Sequence, residues 1–143
     1  MQAHVVCRRT GCLAAVLKEW VRCGVVVPVS GPQGSGNHAV YDDANLIAVG
    51  VACHFRELGV PLTRFAGQFQ KMHAMLRGCS SLEWRGQYIV FSVDGPALVR
   101  FDALGQIPDA AIVLNLDELA VRLVPVDSDP QIPLKFGVSS VTW

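Results

Sequence analysis

Between Thr10 and Pro28 the chain reads Thr-Gly-Cys-Leu-Ala-Ala-Val-Leu-Lys-Glu-Trp-Val-Arg-Cys-Gly-Val-Val-Val-Pro, and few folds accommodate that order. Thr10-Gly11 predicts a tight turn. Leu13, Val16, Leu17, Trp20 and Val21 recur close to the i, i+3, i+4, i+7 spacing of a helix with one apolar face, so a helix is expected over Leu13–Cys23. Its outer face would carry Ala14, Ala15, Lys18, Glu19 and Arg22. Gly24 should end it from a left-handed position just past the last turn, and Val25–Pro28 reads as a strand. A short helix over residues 2–9 precedes the turn, with Val5 and Val6 inward and Arg8 and Arg9 exposed. Two short helices across a tight turn, followed by a strand and loop, form an arrangement that can read a nucleic-acid groove.

The next segment extends this pattern. Residues 29–37 are rich in Gly and Ser, a loop composition, and His38–Tyr41 reads as a strand that pairs with Val25–Pro28. Asp42 and Asp43 supply a cap and favourable charge for a helix running to Leu58. Its buried stripe would be Leu46, Ile47, Val51, Phe55 and Leu58. Pro61 suits a helix entry, and Leu62, Phe65, Phe69, Met72 and Leu76 continue the apolar face. Near Gly78 the periodicity changes from helical to alternating. Residues 88–93 and 97–101 read as a hairpin around Asp94-Gly95, and 110–115 as a third strand. Asp117 is expected to cap a short helix ending at Leu123. From Pro125 the chain reads as extended, with Val138–Trp143 a final strand or an arm that contacts a partner.

Charge divides the chain at the same place. The net charge is zero, yet residues 1–78 hold eight Lys and Arg against four acids, while residues 79–143 hold four against eight. A phosphate backbone attracts the first segment and repels the second. The division expected is therefore 1–78 for DNA binding and 79–143 for dimerisation, effector binding or a protein partner. The alternative is that two small modules simply differ in surface charge. The five cysteines include no Cys-x-x-Cys pair and read as free thiols. The four histidines lack the i, i+4 spacing of a metal site, so neither a metal nor a cofactor is expected. Nucleophile elbow, Walker loop and His-Glu-x-x-His are absent, which argues against an enzyme. The glycines at 31, 34 and 36 sit in a loop with no Lys-Ser/Thr after them and read as loop flexibility. No apolar run approaches the ~20 residues that span a bilayer, and no secretory signal pattern opens the sequence. A cytoplasmic protein without a membrane partner is expected.

Thr10, Gly11, Leu17, Lys18, Trp20, Gly24, Val25, Val26 and Pro28 fall in register, without gaps, on the helix-turn-helix segment of the MerR family of winged-helix transcription regulators. Tyr41, Asn45, Leu46, Arg56, Gly59, Pro61, Leu62 and Phe65 continue the likeness. The sequence thus resembles that family over residues 3–77, about half the chain. The resemblance implies an α+β protein: an N-terminal MerR-like winged helix followed by a small C-terminal sheet-containing module. It implies a sequence-specific regulator that binds double-stranded DNA, as a homodimer because one helix reads few bases. Lys18 stands at the family's groove-facing Arg and Tyr41 at its wing tyrosine. Arg22, Arg8 and Arg9 would add contacts to bases or phosphates, and Asn37 and His38 contacts to phosphates. For the cations the competing role is a solvated surface, and for Tyr41 it is ring packing beside Pro28.

Two features keep other functions open. Ala39 stands where the family wing carries an Arg, which favours a protein-interaction module of the antitoxin or phage-accessory kind. An architectural DNA-binding factor of the excisionase or terminase-small-subunit type uses the same winged fold. After Leu76 no heptad run supports the family's usual coiled coil, so the strands of residues 79–143 are expected to hold the dimer.

Overall fold

The computed structural model describes residues 1–31 and 39–125. Among these residues five α-helices, α1 (Ala3–Thr10), α2 (Ala14–Arg22), α3 (Asp43–Glu57), α4 (Ala66–Arg77) and α5 (Leu116–Leu123), combine with three strands, β1 (Gln87–Ser92), β2 (Gly95–Arg100) and β3 (Ile112–Asn115). The strands form one antiparallel sheet in the order β2-β1-β3. A helical N-terminal region followed by a small sheet is the mixed α+β class that the sequence pattern implied.

The turn between α1 and α2 is built locally. Thr10 Oγ1 donates to the Val6 carbonyl (2.7 Å) and accepts the Cys12 N–H (3.2 Å). Gly11, at φ 76°, donates its N–H to the Cys7 carbonyl, a left-handed conformation that glycine adopts without strain. Leu17 and Trp20 turn the apolar face of α2 into the core, and Lys18, Glu19 and Arg22 lie outside. Leu13, expected on the buried face, is 70% exposed. It precedes the first helical residue, so the helical period does not place its side chain. Gly24 ends the helix at φ 85° as expected.

Val25–Pro28 is not a strand. Val25 and Val26 are buried, and both donate their N–H groups to the Trp20 carbonyl rather than to a strand partner. The β-branched run is a core plug that follows the helix. Among the described residues, antiparallel contact with the returning chain is a single bridge, Ser30 opposite Val40. His38 and Asn37 lie outside the described residues.

Asp42 caps α3 as expected. Its side chain accepts the Asn45 N–H (3.0 Å) while Asn45 Oδ1 accepts the Asp42 N–H (2.9 Å), a reciprocal capping box. The helix is buried on nearly every side from Ala44 to Ala52 rather than along one stripe, because α1, α4 and α5 all pack on it. Leu58, expected in that stripe, is 66% exposed, since it stands at the C-cap where the helix has ended. Pro61 leads first into a 3-10 turn over Leu62–Phe65, and α4 follows. Phe69, Met72 and Leu76 are buried as expected.

In the sheet, Ser92 pairs with Gly95, so Val93-Asp94 forms the hairpin tip and Gly95 belongs to β2. The expected tip was one residue later. The Asp94 N–H donates to Ser92 Oγ (3.2 Å), fixing the earlier turn. β3 begins at Ile112 rather than Ala110. Asn115, not Asp117, caps α5 by accepting the Glu118 N–H. The Asp117 carboxylate is engaged elsewhere, with Arg85 Nε (2.6 Å) and the Gly86 N–H (2.8 Å).

One hydrophobic core runs from Val6 to Leu123 and draws on both segments of the sequence. Phe55, Phe69 and Phe91 of α3, α4 and β1 meet with ring centroids 5.1–5.7 Å apart. At Gly50 of α3 a Cβ would come within 2.5 Å of Leu123 and 3.2 Å of Leu119, so glycine is what lets α5 approach. The charge boundary near residue 78 is therefore a boundary of surface and chain order, while the packing is continuous across it. The described cysteines are all free. Burial, with the nearby Cys53 and Cys7 adding to it, pushes the Cys12 thiol up to about 11, far from a reactive thiolate.

Candidate nucleic-acid interface

α2 projects its polar face from the N-terminal region because Leu17 and Trp20, on the opposite face, are tied into the core. The Arg56 guanidinium sits 5.8 Å from the Trp20 ring centroid, a cation–π contact that holds the helix against α3. Tyr41 is brought beside this face by backbone pairing with the start of the chain. The Met1 nitrogen donates to the Tyr41 carbonyl (2.7 Å), and the Tyr41 N–H donates to the Met1 carbonyl (2.8 Å).

The result is a groove of about 660 Å³ between the start of α1, the outer side of α2 and residues 39–41. Lys18, Arg22 and Tyr41 line it together, over an apolar floor that includes Leu17, Val21 and Ala39. Tyr41 is 5% exposed, and burial raises its hydroxyl pKa above the usual value. It is therefore a neutral phenol that can donate a hydrogen bond. Lys18 has no ion-pair partner among the described residues. Arg22 is held by Glu19 in a two-pronged contact, and that contact keeps the Glu19 carboxyl below its usual range. Part of the positive charge on this face is thus already matched.

Arg8 and Arg9 do not join this group. Both are exposed in the last turn of α1, and Arg9 Nη1 donates to the Leu123 carbonyl at 3.4 Å. Its charge also offsets the upward push that burial and Asp42 exert on the Asp43 carboxyl. His4, which sequence reasoning passed over, does line the groove.

The residues that hold Val27 were also missed. The backbone of Val27, where the chain leaves the core, is gripped on both sides. Its N–H donates to His73 Nε2 (3.3 Å), while its carbonyl accepts from Asn45 Nδ2 (2.8 Å) and Arg77 Nη2 (2.7 Å). His73 Nδ1 lies 2.7 Å from the Phe69 carbonyl. Only the neutral ring protonated on Nδ1 satisfies both partners, and burial lowers the His73 pKa from its ordinary value. Arg77 Nε also bonds Asp42 Oδ2 (2.8 Å). Burial pushes the Asp42 carboxyl up, but the bonds from Arg77 and the Asn45 N–H outweigh it and hold the pKa below the usual value. Asn45 stood out in the sequence only as part of the family likeness, and its bonds to Asp42 and Val27 emerge from the fold. His73 and Arg77, on α4, carry no local signal that would tie them to Val27.

Among the described residues no group of three His, Cys, Asp or Glu side chains is placed to hold a metal ion, and no helix is long and apolar enough to cross a membrane. No curated protein matches the chain. The family model described as MerR HTH family regulatory protein matches residues 1–68, the stretch that holds α1, α2, the loop and α3. Over its N-terminal segment the chain is similar to the MerR helix-turn-helix family of regulatory proteins.

Proposed function

We propose that the protein is a homodimeric, cytoplasmic, sequence-specific regulator of transcription that inserts α2 into the major groove of DNA. The observation that carries this reading is the convergence of Lys18, Arg22 and Tyr41 on one groove within the segment that matches the family. Lys18, exposed and without an ion-pair partner among the described residues, contacts a base edge. Arg22 exchanges Glu19 for a phosphate or base, and the Tyr41 hydroxyl donates to a phosphate from beside the helix. Arg8, Arg9, Asn37 and His38 add backbone contacts, and residues 1–78 carry the whole DNA surface while 79–143 serve dimerisation or a partner.

Selection of bound sequences from a random DNA pool, followed by titration of the full-length Lys18→Ala variant, tests this. The expected outcome is a loss of roughly 1–3 kcal/mol on the selected site, with little change on random DNA. An equal loss on both would make Lys18 a phosphate contact. If the wild-type protein enriches no sequence and retards no DNA at low salt, the reading is wrong. The second reading, a protein-interaction module, is favoured by Ala39, which leaves the groove floor apolar where the family wing has an Arg. In that case the groove takes a protein side chain, and the Lys18→Ala variant loses a protein partner instead of DNA.

A further inference from the structure

β1 is hydrogen-bonded on both sides, so among the described residues the sheet has two outer edges, those of β2 and β3. They are not alike. β2 contains Pro96, which lacks an N–H, and ends in Arg100 before the chain turns away into the 3-10 segment Phe101–Gln106. Proline and charge are the usual protections of an edge. β3 reads Ile-Val-Leu-Asn, with neither. Among the described residues it pairs only with β1. Val113 is 39% exposed, and beside the strand lies a depression of about 250 Å³ bordered by Val113, Leu114, Glu118, Leu119 and Arg122.

Glu118 and Arg122 are both exposed and stand one turn apart on α5, on the side that flanks this edge. A twofold axis beside β3 would set it antiparallel to its copy and would reverse α5 as well. Each Glu118 would then face the Arg122 of the other chain, a self-complementary pattern that a closed dimer requires. We infer that the β3 edge, with the α5 face carrying Glu118 and Arg122, is the surface by which two copies of this protein join into one continuous six-stranded sheet. The inference deepens the homodimer of the proposed function. Association is measured without DNA, so a protein that dimerises this way yet binds no DNA overturns that function and leaves the interface standing.

The test is sedimentation of full-length protein at micromolar concentration, with circular dichroism to verify folding. Wild type is expected to be a dimer. Glu118→Arg faces two cations across the axis and Arg122→Glu two anions, so each alone should weaken the dimer by roughly tenfold or more. Mixed together, the two variants restore both opposite-charge pairs, and a heterodimer of near wild-type affinity should form. Val113→Lys, which puts a cation in the middle of the edge, should also dissociate the dimer and serves if a helix variant fails to fold. A monomeric wild type, single variants that dimerise as tightly as wild type, or a mixture that stays monomeric would each overturn the inference. A dimer indifferent to all three variants would place the contact elsewhere, with the segment after Pro125 the next surface to examine.

Discussion

The two ends of this chain contribute to the same core but differ in what they leave outside it. The N-terminal segment exposes cations on short helices, and its loop begins from a backbone residue gripped by His73, Asn45 and Arg77. The C-terminal segment is acidic on balance, and its sheet contributes Ile89 and Phe91 to the core, with α5 adding Leu116, Leu119 and Leu123. The contrast separates two properties that sequence reading tends to merge. The charge balance of the sequence changes near residue 78, but the packed core continues across it. A helix-turn-helix of this size is too small to bury α3 alone, and the sheet and α5 finish the job.

The largest expected effect tests that statement. Phe91→Ala lies far along the chain from α2 but removes a ring that touches Phe55 and Phe69. Truncation of a fully packed Phe costs about 3–5 kcal/mol. Chemical denaturation should show that loss in one cooperative transition, reported alike by tryptophan fluorescence, to which Trp20 and Trp84 of the two segments both contribute, and by far-ultraviolet circular dichroism. Two separated transitions, with only one of them shifted by the substitution, would mean that the segments fold independently.

How much of this was legible beforehand follows from which interactions are local. The helices α1 to α4 were readable because their apolar spacing, the Thr10-Gly11 turn, the Gly24 stop and the Asp42 cap all act within a few residues. Leu13 and Leu58 were misplaced because the apolar period was extended through helix ends, where it no longer directs side chains. Val25–Pro28 resembled a strand because β-branched residues suit one, yet its backbone is satisfied by Trp20, His73, Asn45 and Arg77, and three of those lie on other helices. For the same reason the groove could be foreseen only in part. Lys18 and Arg22 share a helix face, and their placement beside Tyr41 depends on pairing between residues 1 and 41. Arg8 and Arg9, neighbours of the turn in sequence, lie away from the groove in space.

A second, smaller effect separates the regions by pH. His73 is buried and neutral, with a pKa below its ordinary 6.5. The unfolded chain therefore takes up a proton near pH 6.5 that the folded chain refuses. Stability is unaffected well above that pH and falls as the pH drops below it, by up to about 1.4 kcal/mol per pH unit until the folded-state pKa is reached. Protonation also adds a hydrogen to Nε2, which then cannot accept from Val27. Denaturation midpoints of wild type and His73→Gln between pH 7 and 5 check this. The variant is expected to be less stable at pH 7 and to show a flatter profile. Parallel profiles would remove His73 from the pH response.

The smallest effect compares two helix caps made by similar side chains in the two segments. Asn115 caps α5 through one bond to the Glu118 N–H, and its side chain is exposed. Asn115→Ala should therefore cost about 0.5–1 kcal/mol, the low end for a lost cap. Asp42 caps α3 and also receives Arg77. Removing it costs the cap and leaves a partly buried guanidinium with only Val27 and Asn45 to bond. With about a third of the Asp42 side chain exposed, solvent screens the ion pair, so the added cost stays near 1 kcal/mol and the total near 2. The pH dependence sharpens the comparison. The Asp42 carboxyl pKa is held below 3.8, so its contribution is complete above that value and is lost as the pH falls through the folded-state pKa. The difference between the Asp42→Ala and Asn115→Ala variants should therefore shrink in acid, in denaturant titrations run from pH 7 down to pH 3. If the two variants are equally destabilised at pH 7, Arg77 holds Val27 without help from Asp42, and the grip on Val27 is looser than its geometry implies.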